Sequence, residues 1–395
     1  MQMHRLVYGV TVSLAVTLAG LAAVSGAAAK TFVYVSAATD GKVDAYSMDE
    51  ATGVLTPLAN VEAGKSVMPM AVSPDKAHLY AVVRSQPYRV LTYAIDPSSG
   101  ALTEEAVAAL PDSMPYVSAE KSGRLLFFSS YGGNKIASLP VGADGLVKDG
   151  VKQMIPTGRN AHAIVSDQTG KYAFVTNLGS DAVLQFVLNS ETGMLEPNDP
   201  PMVKTKAGQG PRHIVVSPDN KSVYVVAELT GDVIHYTLDP AKGTLTEMDT
   251  ASAVPPGANL EAGVAPPPPP GFNAPPRPAA AVAPAAAPAP KVWAADIGIT
   301  PNGKFLYATE RTTSTIALFA VAPDRGALTY VTSVPTEKQP RGIRIDPTGR
   351  FLIASGEKSD KLSVYSIDQD KGALSDVGRY SVDAGANWIE IVNLP

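Results

Sequence analysis

Ser217-Pro218-Asp219-Asn220 leads into Val223-Tyr224-Val225-Val226, then Val233-Ile234-His235-Tyr236, then Gly243-Thr244-Leu245. This stretch decides the fold because its parts recur along the chain. An apolar run, a short polar turn and Gly-x-Leu or a close variant together occur seven times. The glycines are Gly53, Gly100, Gly145, Gly193, Gly243, Gly326 and Gly372, 45 to 50 residues apart except for one gap of 83. Short β-rich runs repeating at that period are the signature of propeller blades. Seven copies predict an all-β, seven-bladed β-propeller. That is one ring, not the two or three domains that 395 residues would otherwise suggest.

The opening turn also repeats. Ser73-Pro74-Asp75, Thr300-Pro301-Asn302-Gly303 and Asp346-Pro347-Thr348-Gly349 match it, with looser copies at Ser118 and Ser166. Pro presets φ for the second turn position, while Asp, Asn and Gly tolerate the tight return. Each copy therefore reads as a hairpin turn. The quoted unit divides into strands A to D at 213–216, 223–229, 232–238 and 243–249, antiparallel because the connections are short. Six turns serve seven copies. The run at 32–35 is a B strand without an A, and 387–392 is an A strand without a B. Pairing them closes the ring and covers sheet edges that would otherwise be exposed.

Two regions stand outside the repeat. Residues 1–29 read as a signal peptide: a weakly positive start at His4 and Arg5, an apolar stretch over 10–24, and Ala27-Ala28-Ala29 at the cleavage site. The mature chain, 30–395, is expected to be periplasmic or secreted in a bacterium, with no membrane span left after cleavage. The second region, about 253–290, fills the long gap. It is mostly Pro, Ala and Gly, including Pro266 to Pro270, and reads as an extended or disordered surface insert between one blade's D strand and the next blade's A strand.

Composition excludes some chemistries. There is no cysteine, hence no disulfide and no thiol nucleophile. The net charge of −5, or −6 once Arg5 is removed, argues against nucleic-acid binding, which needs a basic footprint. Neither a Gly-x-Ser-x-Gly elbow, a His-Glu-x-x-His pair nor a Gly-x-Gly-x-x-Gly junction occurs. No metal or cofactor is called for.

Antiparallel order places the start of strand A and the end of strand B on one face of the disc. The A-strand starts there are Met68, Met114, Asn160, His162, Arg212, His213, Asp296 and Arg341. The positions eleven residues after each turn's Ser, Thr or Asp are Arg84, Ser129, Asn177, Glu228, Arg311 and Glu357. Only 17% of residues are charged, yet this face gathers four arginines, two histidines and three acidic groups, and no similar collection is expected opposite. Each residue also has a plainer reading. The histidines could be hydrogen-bonded strand starters, Arg341 a loop brace and Glu228 a structural partner of Arg212. Arg311 could pair with Glu310, and Trp293 and Trp388 could be core or rim packing. As a set they suit an anion held by Arg forks, with Glu or His activating water against an ester-like carbonyl and Arg steadying the oxyanion.

Five stretches carry a resemblance. They are Gln209-Gly210-Pro211-Arg212-His213, Ala227-Glu228-Leu229, Trp293-Ala294-Ala295-Asp296-Ile297, Glu310-Arg311-Thr312 and Gln339-Pro340-Arg341-Gly342. Over about 31–393, the insert apart, the chain resembles the propeller-type lactonases, particularly bacterial 6-phosphogluconolactonases. Fungal 3-carboxy-cis,cis-muconate lactonising enzymes look like more distant relatives. The resemblance implies a cofactor-free, metal-independent carboxylic ester hydrolase acting as a monomer on a small-molecule lactone, phosphorylated or, in an exported relative, plain. It implies catalytic roles for His162, Arg212, Glu228 and Arg311 and an anion contact at Arg341. His213, Arg84 and Asn177 are further substrate-binding candidates from the shared face. A muconate-type cycloisomerase and a non-catalytic periplasmic ligand-binding or scaffold propeller stay open.

Overall fold

A computed structural model describes residues 30–265 and 289–394, together with the isolated positions Gln2 and Gly9. The leader expected at 1–29 and the centre of the insert, 266–288, lie outside the described segments. Seven antiparallel sheets form the ring. In chain order, blade 1 has innermost strand A at Val67–Val72, blade 2 at Tyr116–Ala119, and blade 3 at Ala161–Ser166. Blades 4 to 6 start at Pro211–Val216, Ala294–Ile299 and Pro340–Ile345. Blade 7 joins the chain ends: Ala386–Leu394 is its A strand and Lys30–Ala37 its B strand, paired from Lys30↔Leu394 to Ala37↔Ala386. The closure read from the sequence is therefore present.

The repeated glycine has a physical cause. Gly243 has φ +67°, and a Cβ there would overlap the Tyr172 ring of the preceding blade. Gly100 stands in the same relation to Phe32. Only glycine allows both the left-handed backbone and the ring's approach. The same rim carries a latch from blade to blade. Tyrosine hydroxyls donate to the turn glycine's carbonyl at Tyr34–Gly100 (2.9 Å), Tyr80–Gly145 (2.8 Å), Tyr224–Gly326 (2.8 Å) and Tyr307–Gly372 (2.7 Å). Buried apolar clusters lie between neighbouring sheets, such as Tyr224, Val226, Ala294, Leu306 and Phe319 between blades 4 and 5. Burial of this kind supplies the main stabilisation.

The A–B turns correct two sequence readings. Ser217 Oγ accepts the Ser222 N–H (2.9 Å), and Asp346 Oδ1 accepts Phe351 N–H (2.7 Å). In blade 3 that acceptor is Asp167, bonded to Tyr172 N–H at 3.1 Å, rather than Ser166. In blade 2 the turn is framed by Glu120, whose N–H bonds Leu125 O, rather than by Ser118. The eleven-residue step therefore ends at Tyr131 and Leu178, not at Ser129 and Asn177.

Candidate functional site

The mouth residues are aimed by irregularities in the innermost strands. Between blades' A and B strands the register shifts at Val67/Met70, Ala161/Ala163, Pro211/Ile214, Ala294/Ile297 and Pro340/Gly342. The extra residues include Met68, His162, Arg212, His213, Asp296 and Arg341. A β-bulge bends its strand and re-aims side chains, so these groups turn towards the central opening.

Glu228 is the hub. It follows strand B of blade 4, which ends at Ala227, and its N–H bonds Gly210 O. Its Oε2 accepts Arg212 Nε at 2.7 Å and lies 3.1 Å from Arg311 Nη2. Its Oε1 faces Trp293 Nε1 at 3.3 Å. Arg212, almost fully buried, also donates through Nη1 to Ala295 O. Arg311 donates to the carbonyls of Trp293 (3.0 Å) and Ala294 (3.1 Å), and its guanidinium lies 3.8 Å from the Trp293 ring centre. Burial works to raise the Glu228 carboxyl, but Arg212, Arg311 and Arg341 overcome it and leave it below the ordinary value. The carboxylate is thus a charged clamp with its lone pairs engaged, and a weak base. The plainer reading of Arg311 as a partner of Glu310 is replaced: Glu310 accepts the N–H groups of Trp293 and Thr313 instead.

Around this hub the cations exceed their partners. Arg341 Nη1 donates to Glu357 Oε1 at 3.0 Å. Arg84 bonds Ser113 Oγ (3.1 Å) and touches Met68 sulfur, with no carboxylate partner among the described residues. Burial first, then the neighbouring Arg341, lowers its pKa. An uncompensated, half-buried cation is costly unless an anion arrives.

Beneath the arginines lies a stack of rings. His162 and His213 are both buried, with ring centres 5.2 Å apart, and His162 meets Tyr131 edge-on at 5.8 Å. His213 touches Tyr116 (5.3 Å) and Trp388 (5.7 Å). His213 Nδ1 is 2.7 Å from Asp296 Oδ1, while Asp296 accepts the backbone N–H groups of Ile297 and Ile343. That pair fixes the Nδ1–H tautomer of His213. His213 Nε2 and His162 Nδ1 are buried without a hydrogen-bond partner among the described residues. Burial, then Arg212, holds His162 well below the usual histidine range; the same causes push His213 down to about 4. Both are neutral near pH 7.

His162, Arg212, Glu228, Arg311, Arg341, His213 and Arg84 are therefore gathered at one mouth. Asn177 is not part of this hub. Its amide donates to Thr157 Oγ1 (3.1 Å) and Gly158 O (2.6 Å), bracing the loop ahead of His162. Ser129 donates to His162 O at 2.7 Å and supports the same strand. Sequence reasoning missed Tyr131 and gave Trp293 a packing role, whereas Trp388 does pack, partly buried against a core cluster. A correct turn register would have found Tyr131. No sequence signal distinguishes an indole at the mouth from one in the core.

Two other features resemble sites. A cavity of about 920 Å³ opens on the opposite rim, lined by Lys121, Arg124, Lys152 and Lys171 among others. The expectation of no basic collection there is thus corrected. Its groups are partly engaged by the rim itself, Lys121 with Gln168 and Arg124 with Ser190 O, and the carboxylates of Glu120 and Glu191 line the same cavity. Ser222, His235 and Asp249 follow nucleophile–base–acid order, at 3.1 and 3.2 Å. Here the Ser222 hydroxyl lies close against Gly326 and its N–H is held by Ser217, so that N–H is not free to serve as an oxyanion donor. His235, stacked on Tyr224 at 5.0 Å, fills the space that Phe305 or Phe351 fills in blades 5 and 6. Among the described residues no group of His, Cys, Asp or Glu is placed to hold a metal ion, and no helix is long and apolar enough to cross a membrane.

Comparison with known proteins fits this geometry. Residues 32–391 match the family described as lactonase, 7-bladed beta-propeller. The 6-phosphogluconolactonase of Pectobacterium carotovorum subsp. carotovorum is 37% identical over 362 residues, covering 92% of this chain and 98% of that protein. The Serratia proteamaculans 6-phosphogluconolactonase is 35% identical over 364 residues, covering 92% and 99%. The structure of the Pseudomonas aeruginosa periplasmic gluconolactonase superposes with a TM-score of 0.78 at 26% identity, covering 93% of this chain and all of that one. The chain belongs to the seven-bladed β-propeller lactonase family.

Proposed function

We propose that this chain hydrolyses an anionic sugar lactone at the arginine-rich mouth, with 6-phospho-D-glucono-1,5-lactone as substrate. The observation that carries the reading is the charge arrangement: two guanidiniums share Glu228, while Arg84 has no carboxylate partner among the described residues. A bound anion supplies the missing counter-charge. The names of the sequence relatives, 6-phosphogluconolactonases, agree.

Water attacks the lactone carbonyl carbon. His162, held neutral by burial and the arginines, accepts the water proton. Arg212 Nη2 and Arg311 Nη1 are not used in the bonds that fix these side chains, and they face the carbonyl oxygen as it gains charge. The tetrahedral intermediate collapses, the ring C–O bond breaks, and the His162 proton passes to the departing ring oxygen. Water and lactone thus give the open hydroxy acid. Glu228 acts as the clamp that fixes both arginines, a change from its role as base. The steps use protein groups alone, and all of these groups come from one chain, which supports a monomer as the working unit.

One observation favours a second substrate. A leader at 1–29 together with the likeness to a periplasmic gluconolactonase supports export, where an unphosphorylated aldonolactone is the natural counterpart. The test is a panel of phosphorylated and plain gluconolactone, with and without EDTA, corrected for spontaneous hydrolysis. Turnover of the phosphorylated lactone at higher kcat/KM, unaffected by EDTA, is expected. A preference for the plain lactone would select the exported reading. No rate above background would leave a binding propeller, and ring closure of an unsaturated dicarboxylate a cycloisomerase.

A further inference from the structure

The Trp293 indole is 39% exposed, whereas the large side chains around it are buried. One face is covered by the Arg311 guanidinium at 3.8 Å, and its edge is tethered to Glu228 Oε1 at 3.3 Å. Its backbone is fixed as well: Trp293 N–H donates to Glu310 Oε1 (2.8 Å), and Arg311 N–H and Nε both donate to Trp293 O. An exposed tryptophan held on three sides is not a loose rim residue. Its position is set to within the reach of the two groups that clamp the reacting carbonyl. The exposed part of the indole is flat and apolar.

We propose that this open face of Trp293 is a platform for the ring of the substrate, stacking against the C–H face of a closed sugar lactone. The proposal rests on the lactone reading above and adds a second element of recognition. The arginines take the anionic tail and the oxyanion, neither of which tells a ring from an open chain. A flat aromatic surface does, because a six-membered ring presents a contiguous C–H face and a flexible polyol does not. The cation beneath the indole withdraws none of that surface. The same contact would help release product, since ring opening removes the face that stacks.

The experiment compares two anions with the same phosphate: glucose 6-phosphate, a closed ring that cannot be hydrolysed here, and 6-phosphogluconate, the open chain. Binding is measured by calorimetry to the wild type, Trp293→Phe and Trp293→Leu. The expected result is a loss of about three- to tenfold in glucose 6-phosphate affinity in Trp293→Leu. Trp293→Phe should restore most of it, and 6-phosphogluconate should bind all three chains alike. For the lactone, Trp293→Leu should raise KM more than it lowers kcat. Fluorescence gives an independent reading, because the chain has only two tryptophans. The emission lost between wild type and Trp293→Phe belongs to Trp293, and it should change with the ring probe and not with the open one. Equal weakening of both probes in Trp293→Leu would make Trp293 a brace for Arg311 and overturn the platform. Unchanged binding of both would also overturn it. If 6-phosphogluconate fails to bind the wild type while glucose 6-phosphate binds and weakens in Trp293→Leu, the closed ring is required alongside the phosphate and the ring contact stands. If neither binds, both fall.

Discussion

The two faces of the disc are built on opposite plans. On the turn rim, the blades meet by variations on one contact: a left-handed glycine admits a neighbour's side chain, a ring at Gly100 with Phe32 and Gly243 with Tyr172, and at four interfaces a tyrosine hydroxyl latches the turn. At the mouth, the corresponding strand positions carry a different residue in each blade: His162, Arg212 with His213, Asp296, Arg341. Repetition marks the contacts that hold the ring, since similar interfaces pose one packing problem. Departure from repetition marks the proposed site, since a ligand on the axis would meet each blade from a different side.

The contrast predicts separable effects. The largest is Arg212→Ala at the mouth. It should lower kcat/KM by about 10²–10³-fold, because one oxyanion donor goes and Glu228 loses its shorter ion pair. Steady-state kinetics on a chain of confirmed fold by circular dichroism measure it. A change in Tm alone, with kinetics intact, would place Arg212 in the structural class.

Gly243→Ala tests the rim. The methyl group would overlap Tyr172 at a φ of +67°, so stability should fall by about 1–3 kcal/mol in denaturant unfolding. kcat/KM per folded molecule should stay as in the wild type. Lost activity in the folded fraction would mean that rim and mouth are coupled, and the division between them would fail.

The smallest effect is electrostatic. Arg341 is among the cations that hold His162 low, after burial, Arg212 and His213. Removing it in Arg341→Gln lets the His162 pKa rise. The base is then protonated at a higher pH, and the acid limb of the pH–kcat profile should move upward. A limb that stays in place or moves down would show that His162 is not the titrating base.

Much of the fold was legible in the sequence, and the places where it was not are specific. The quoted unit predicted strand B to run to 229, but it ends at Ala227, because Glu228 and Leu229 turn their N–H groups to Gly210 and Gln209. That early exit frees Glu228 for the arginines. The turns of blades 2 and 3 were read from Ser118 and Ser166, since Ser recurs in the clearer copies. The position asks only for a short side-chain oxygen in the right place, and Asp167 supplies it as well as Ser217 does. A slip of one residue in a strand sends a side chain to the other face. This is why Asn177 was assigned to the site, although its amide braces the loop at Gly158. Tyr131 was overlooked because the turn of blade 2 was read two residues early, at Ser118 instead of Glu120.

The sequence by itself determined the ring, its seven blades, its closure between the chain ends and the arginines and histidines at the mouth. These follow from local rules: strand periodicity, turn chemistry, and a glycine wherever a neighbour's ring comes close. Tertiary structure alone decided the roles. Glu228 is a clamp because two guanidiniums from different blades meet on it. His162 is neutral because burial and those cations suppress its charge, and Trp293 lies at the mouth with Arg311 against one face. Each depends on distances between residues far apart in the chain, and such distances exist only once the ring has closed.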